Sequence, residues 1–157
     1  MAATPAVRAL DRARVAYTLH PYDADHPSGQ GFGEAAAAAL GTDPARLFKT
    51  LVTRVDDTLT VAVVPVSGQL DLKALAAAAG GRRAAMADPQ DAERATGYVR
   101  GGISPLGQRK ALPTVVDASA TEWETVLVSA GRRGLQVELA PADLVQLTRA
   151  TTAAISR

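Results

Sequence analysis

Apolar residues recur along this chain with two different periods, and the period separates predicted helices from predicted strands. A helical spacing links Val7, Leu10 and Ala13, directly after Thr4-Pro5, which supplies a hydroxyl cap and a proline in the first turn. Capping residues, alanine content and terminal glycines predict further helices over residues 34–40, 72–79, 88–97 and 141–150.

Alternating apolar and polar residues predict a half-buried strand over residues 15–20. Two β-rich runs, 48–55 and 58–66, are joined by two aspartates and predict an antiparallel hairpin. Shorter strands are predicted over residues 84–87, 114–117, 125–129 and 135–139. The tail from residue 151 to residue 157 is predicted to be frayed.

The connections between several predicted strands are short. Short connections favour an α+β fold, with a mixed, largely antiparallel sheet flanked by helices, over a doubly wound parallel sheet. The sequence contains no internal repeat and no linker, so residues 1–157 are predicted to form a single domain.

Composition narrows the class of protein. Of the 157 residues, 47% are hydrophobic, which is enough for a core, while a 4% aromatic content argues against a surface built on base-stacking rings. Cysteine is absent, which excludes disulfides, thiolate metal ligands and a cysteine nucleophile, and fits a reducing compartment. Without a membrane-length apolar run or a signal-peptide pattern, the chain is expected to be cytoplasmic.

The formal net charge of +1 is too small for a generic polyanion binder, but the basic residues are unevenly spread. Residues 82–110 hold six basic side chains and three acidic ones. This segment is either a solvated face or a local phosphate-facing patch, and charge alone does not separate the two.

Several common chemistries lack their sequence motifs. The only histidines, His20 and His26, have no ligand spacing and no cysteine beside them, so no metal site is predicted. The chain has neither a G-x-S-x-G turn nor a nucleotide-triphosphate loop. Residues 21–33 are rich in proline, glycine, aspartate and serine, and the glycines of 29–33 are interpreted as part of a flexible loop.

Two features carry candidate chemistry. Lys49 is one of only three lysines in a chain that otherwise uses arginine, and it stands at the start of a β-rich run. An ammonium there can hold a phosphate or a developing oxyanion, or it can simply face solvent on a strand. Residues 101–107, which read G-G-I-S-P-L-G, are either a loop whose backbone N–H groups face a ligand or a plain turn.

Taken together, these segments resemble the YbaK/EbsC family of Cys-tRNA(Pro) deacylases, relatives of the editing domain inserted in bacterial prolyl-tRNA synthetases. The G-G-I-S-P-L-G-Q run is the most specific match, and the matching pieces occur in family order from Thr4 to about Leu147. The matching stretches are residues 4–7, 48–51, 62–73, 86–89, 95–98, 101–108, and 128–129 with 131–135.

The resemblance implies a partly barrel-like sheet flanked by helices, and a trans-editing enzyme without metal or organic cofactor. It implies as partners mischarged tRNA(Pro) and prolyl-tRNA synthetase, and no membrane. By resemblance the catalytic residues are Lys49, Gly101 and Gly102. The implied substrate-binding residues are Tyr22, Phe32, Thr50, Ile103, Ser104 and Ser129.

Two positions depart from the family pattern. Relatives often carry an acidic residue where this chain has Gln136, and glycine where it has Ala130. The route implied by resemblance is substrate-assisted: the cysteinyl thiol attacks its own ester, and a cyclic thiolactone forms. The alternatives are water-driven deacylation of alanine or serine, a non-catalytic tRNA- or synthetase-binding module, and small-ligand binding without RNA.

Overall fold

The computed structural model describes residues 3–24 and 31–157. The helices are α1 (Pro5–Ala13), α2 (Phe32–Leu40), α3 (Leu72–Ala78), α4 (Pro89–Thr96) and α5 (Pro141–Thr148). The strands are β1 (Tyr17–Pro21), β2 (Phe48–Val55), β3 (Thr58–Pro65), β4 (Ala84–Met86), β5 (Thr114–Asp117), β6 (Val126–Arg132), β7 (Leu135–Leu139) and β8 (Thr151–Ala153). A 3-10 helix, Ala118–Glu122, follows β5.

The described strands form two sheets. One has three antiparallel strands in the order β1-β7-β6, and the other has five in the order β4-β2-β3-β5-β8, with β5 parallel to both of its neighbours. An isolated bridge between Leu47 and Leu127 lies where the sheets meet. The predicted mixed α+β fold is confirmed, and the partly closed barrel stays a prediction.

The local start and stop signals act as the sequence predicts. The Thr4 hydroxyl accepts a hydrogen bond from the Val7 N–H (3.2 Å) and donates one to the Ala130 carbonyl (2.5 Å), so the cap also fastens α1 to β6. The hairpin of β2 and β3 pairs in register from Phe48 with Pro65 to Val55 with Thr58.

The beginning of α2 differs from the prediction. The helix starts at Phe32 rather than at residue 34, because Gly31 adopts the extended conformation of a cap and the chain turns helical at once. Phe32 therefore belongs to the first helical turn instead of a loop. His26 and the first two residues of the predicted glycine loop at 29–33 lie outside the described residues.

The predicted frayed tail is wrong. Strand β8 pairs with β5, and Ile155 is completely buried in a core cluster beneath α3. The Asp117 carboxylate fixes this segment, because its Oδ1 accepts hydrogen bonds from the N–H groups of Ile155 (2.9 Å) and Ser156 (3.0 Å). Its Oδ2 accepts from the N–H (3.2 Å) and the hydroxyl (2.5 Å) of Ser119. The partners in the tail, Ile155 and Ser156, are 38 and 39 residues away from Asp117, so no local pattern reveals them.

The main core lies between α1, β3 and the inner face of the three-stranded sheet, and it includes Leu10, Val63 and Val137. On the opposite face of β7, Glu138 accepts hydrogen bonds from the His20 ring (2.8 Å), Arg46 (2.5 Å) and Thr125 (2.6 Å). The hydrogen bond from the Thr125 hydroxyl, the hydrogen bond from the His20 ring and the charge of Arg46 hold the pKa of Glu138 below its ordinary value despite partial burial. His20 is thus satisfied by hydrogen bonding.

Candidate functional site

A cavity of about 480 Å³ opens between the two sheets. Its floor comes from Leu47 and the first half of β2, residues 48–52, and its far wall from Ser129 on β6 and Gln136 on β7. The start of α2, the segment from β4 into α4, and residues 100, 101 and 103 complete the walls. Elements from both sheets are therefore needed to form the site.

Lys49 lies on the floor of this cavity, on the second residue of β2 and opposite Val64 of β3. Its side chain is half-buried, and no ion pair in the described part of the chain includes it. The cavity walls also carry Glu34 and Glu93, and the Glu93 carboxylate accepts a hydrogen bond from the Arg100 N–H (2.9 Å). Lys49 is thus a cation available to an anionic group of a ligand.

Two buried polar atoms in the cavity wall have no hydrogen-bond partner among the described residues: Thr50 Oγ1 and Gln136 Oε1. Gln136 is only 5% exposed and pairs with Ser129 across the β6–β7 ladder. Leaving a buried polar atom unpaired costs about 1–3 kcal/mol, so such atoms in a native cavity point to an external partner. A ligand with hydrogen-bond donors would satisfy both.

The glycine loop (residues 101–107) contributes Gly101 and Ile103 to the cavity wall. Gly101 has a φ of +88°, a conformation that favours glycine. No hydrogen bond within the described chain uses the N–H groups of Gly101 or Ile103. These two N–H groups are available to an oxygen in the cavity, which is one of the two possibilities that the sequence leaves open for this loop.

Gly102 and Ser104 do not line the cavity. The Gly102 N–H donates to the Val99 carbonyl (2.9 Å), and a Cβ at Gly102 would lie 2.7 Å from the Arg132 Cα. Ser104 is fully buried, and its hydroxyl accepts from the Leu106 N–H (3.2 Å). Both residues hold the loop in place against its neighbours, which differs from the direct contact with substrate that the resemblance implies.

The structure brings the remaining sequence-predicted site residues together around one cavity. They are Tyr22, Phe32, Lys49, Thr50, Gly101, Ile103 and Ser129. The Tyr22 N–H donates a hydrogen bond to the Gly134 carbonyl (2.9 Å), and this bond links Tyr22 to the β6–β7 turn (residues 132–135). The Ser129 hydroxyl accepts from the Gly131 N–H (3.1 Å).

Sequence reasoning missed Arg133. Its guanidinium lies 4.4 Å from the centroid of the Phe32 ring, within the range of a cation–π contact. Met86 and Arg100 also line the cavity without having been singled out. The available signal for Arg133 was its place in the matched stretch 131–135, where it follows the last residue of β6.

The described residues contain neither a metal-ligand cluster nor a helix that could span a membrane. No cluster of three or more histidine, cysteine, aspartate or glutamate side chains with the spacing of a metal site occurs there. None of the described helices has the length and apolar character needed to cross a bilayer.

The sequence model of the aminoacyl-tRNA editing domain matches residues 26–147. EbsC of Enterococcus faecalis, whose name proposes deacylation of Cys-tRNA(Pro) and Cys-tRNA(Cys), is 40% identical over 156 residues, or 98% of this chain and 93% of EbsC. ProXp-y of Escherichia coli K12, named as a multifunctional Ser/Thr-tRNA deacylase, is 30% identical over 74% of this chain and 72% of its own.

The fold is also found among solved structures. A crystal structure described as a proposed trans-editing enzyme for prolyl-tRNA synthetase superimposes with a TM-score of 0.82 at 23% identity, over 100% of this chain and 99% of the other. The resemblance drawn from the sequence motifs is confirmed by the family match and by the identity to EbsC. The chain belongs to the family of aminoacyl-tRNA editing domains.

Proposed function

We propose that this protein is a single-domain deacylase that acts in trans and removes cysteine from mischarged Cys-tRNA(Pro). The observation that carries the proposal is the cavity, whose lining includes a half-buried, unpaired lysine, two buried polar atoms that lack partners among the described residues, and a loop with two free N–H groups. The similarity to EbsC over almost the whole of both chains supports the substrate. No membrane and no metal or organic cofactor enter the proposal.

In the proposed reaction the substrate supplies its own nucleophile. The cysteinyl sulfur attacks the ester carbonyl, a C–S bond forms, the C–O bond to the ribose breaks, and the thiol proton goes to the departing ribose oxygen. The product is a cyclic thiolactone and free tRNA. Holding the thiol in a near-attack position supplies much of the acceleration, since effective molarities of oriented intramolecular reactions are large.

The cavity residues have matching roles in this proposal. The Lys49 ammonium binds the phosphate of the terminal nucleotide and favours the reactive pose of the ester. The N–H groups of Gly101 and Ile103 stabilise the charge that develops on the carbonyl oxygen. Thr50 and Gln136 accept hydrogen bonds from the amino group of the substrate, which is a donor without acceptor capacity when charged.

A second candidate is water-driven deacylation of another small residue, which the 30% identity to the Ser/Thr-tRNA deacylase ProXp-y supports. Comparing single-turnover release from Cys-, Ser- and Ala-tRNA(Pro), in the presence of a chelator, separates the two. We expect cysteine to be released at least tenfold faster than serine, because a hydroxyl is a much weaker nucleophile than a thiol.

Equal rates on the three substrates would remove the substrate-assisted route and support the water mechanism. Binding of tRNA with no release from any of them would instead indicate a non-catalytic module. A net charge of +1 predicts weak affinity for tRNA alone, so we propose that prolyl-tRNA synthetase is the partner that delivers tRNA(Pro). Adding the synthetase at limiting tRNA should then raise the rate.

The two adjacent glycines should respond differently to substitution by alanine. Gly101→Ala adds a Cβ 3.0 Å from the Arg133 Nε and 3.2 Å from the Phe32 ring, and it strains a φ of +88°. Because these neighbours are side chains that can shift, we expect a loss of about 1–2 kcal/mol in stability and a clear loss of deacylation. Thermal melts and single-turnover assays on the same preparations give both values.

Gly102→Ala meets backbone instead, with Cβ contacts of 2.7 Å to the Arg132 Cα and 2.8 Å to the Arg133 N. We expect it to lose more stability than Gly101→Ala, because the β6–β7 turn must move as a whole. If Gly102→Ala melts like the wild type, the packing of the loop on this turn is not as described.

A further inference from the structure

Among the described residues, the large hydrophobic side chains that are exposed lie in the cavity wall or next to it in the chain. In the part of the chain that the structure describes, three large hydrophobic side chains are exposed: Phe32 (43%), Met86 (53%) and Val99 (66%). Phe32 and Met86 line the cavity, and Val99 directly precedes Arg100 and Gly101, which also line it. Exposed apolar residues that cluster in this way mark a contact surface.

Cationic side chains are interspersed with these apolar ones. Arg133 and Arg100 are exposed, and no ion pair formed by the described residues includes either of them. The Arg133 guanidinium lies over the Phe32 ring and 3.0 Å from where a Cβ of Gly101 would stand. Contact with the helix start on one side and the glycine loop on the other holds this arginine at the mouth.

We infer that this rim, defined as Phe32, Met86, Val99, Arg100 and Arg133, binds the 3′-terminal nucleotides of the RNA. The inference rests on the proposed function. If the aminoacyl ester lies in the cavity beside Lys49, the nucleotides that carry it must emerge through the mouth. They present phosphates and flat bases, which are the groups that arginine forks and exposed apolar side chains bind.

Different side chains of the rim contact the phosphates and the bases of the RNA. Arginine binds phosphate through two parallel N–H donors, and the contact with the Phe32 ring restrains the position of the Arg133 guanidinium. Phe32 and Met86 offer apolar area to a base at the edge of the cavity. One aromatic ring suffices for one base, so the low aromatic content of the chain is compatible with recognition of a short RNA end.

The inference is tested with a short single-stranded RNA that ends in the uncharged CCA sequence shared by tRNAs. Its binding is measured by fluorescence anisotropy over a series of salt concentrations for the wild type, Arg133→Gln, Arg133→Lys and Phe32→Leu. The matched control is Arg12→Gln, because Arg12 is exposed on α1 and does not line the cavity. Thermal melts establish that each variant is folded.

We expect Arg133→Gln to raise the Kd about tenfold and to lower the slope of log K against log salt by about 0.7, the value for one phosphate contact in a single strand. Arg133→Lys should keep the salt slope and lose part of the affinity. Phe32→Leu should raise the Kd about fivefold without changing the slope. Arg12→Gln should behave as the wild type.

The inference is overturned if Arg133→Gln and Phe32→Leu bind the RNA with the Kd and salt slope of the control, or if the wild type does not bind it at low salt. Phe32→Leu keeps the test decisive should Arg133→Gln fail to fold. Failure of the proposed function has a different signature: the wild type releases no amino acid from any charged tRNA, yet RNA binding still depends on Arg133. If the rim instead binds an acidic protein segment, Arg133→Gln and Phe32→Leu should both bind the RNA as the wild type does.

Discussion

Replacing Lys49 with alanine should lower single-turnover release of cysteine from Cys-tRNA(Pro) by about ten- to a hundredfold. The estimate follows from the loss of one charge-assisted contact, worth about 1.5–3 kcal/mol. Lys49→Arg should lose most of the activity as well, because the planar fork is larger than an ammonium and directs its donors differently. Stability should barely change, since no described ion pair includes Lys49 and its side chain is only half-buried.

Lys73→Ala is the matched control, because Lys73 is exposed on α3 and does not line the cavity. It should retain both the rate and the melting temperature of the wild type. Near-normal turnover in Lys49→Ala would remove this residue from the proposed site. A lost rate accompanied by a collapsed melt would show that its role is structural.

Asp117→Ala should destabilise the protein by roughly 2–4 kcal/mol, which makes it the largest expected effect on stability. The carboxylate is 3% exposed and accepts hydrogen bonds from Ser119, Ile155 and Ser156, so its removal leaves buried N–H groups without partners. The loss should appear in urea unfolding of the whole chain, with β8 and Ile155 among the first segments to lose amide protection.

Asp117 also predicts a dependence of stability on pH. Burial raises the pKa of its carboxyl, but the hydrogen bonds from Ser119, Ile155 and Ser156 outweigh burial, and the net pKa lies below the ordinary value of 3.8. A depressed pKa in the folded state gives stability that is present above the unfolded-state pKa and is lost as the pH falls through the folded-state pKa.

The stability difference between the wild type and Asp117→Asn should therefore be constant near neutral pH and shrink once the pH falls below 3.8. Asparagine loses one of the two acceptor oxygens at every pH and cannot ionise, so the pH dependence of the difference reports the Asp117 carboxyl. A difference that stays constant down to the acid unfolding transition would contradict the assigned role.

The parts of the fold that the sequence predicts well depend on short-range chemistry. The Thr4-Pro5 helix start, the Asp71 and Asp88 caps and the β2–β3 hairpin are each set by residues within a few positions of one another. The tail was mispredicted because its partners are distant: β8 pairs with β5, and Arg157 exchanges backbone hydrogen bonds with Gln69. No local propensity in a short threonine-rich segment predicts pairing over such distances.

In the candidate site, too, the sequence predicts what depends on nearby residues and misses what depends on distant ones. The motif-matched stretches contain half of the residues that line the cavity, among them Lys49, Thr50 and Gly101. Motif matching does not distinguish a glycine that faces a ligand from one that packs on a neighbouring turn, and Gly102 is of the second kind. Arg133 was not predicted because its place in the site depends on its contact with Phe32, which is about a hundred residues earlier in the chain.

Selection for stability and selection for activity should favour different residues at positions 50 and 136, because the oxygens of Thr50 and Gln136 are buried and unpaired in the free protein. An apolar replacement of similar shape, such as valine at Thr50, removes a desolvated polar atom and is neutral or favourable for the free protein. A library selected only for heat resistance should therefore accumulate apolar residues at these two positions, and one selected for editing should retain polar ones. Descendants of this gene that have lost the activity should likewise accumulate apolar residues at these two positions.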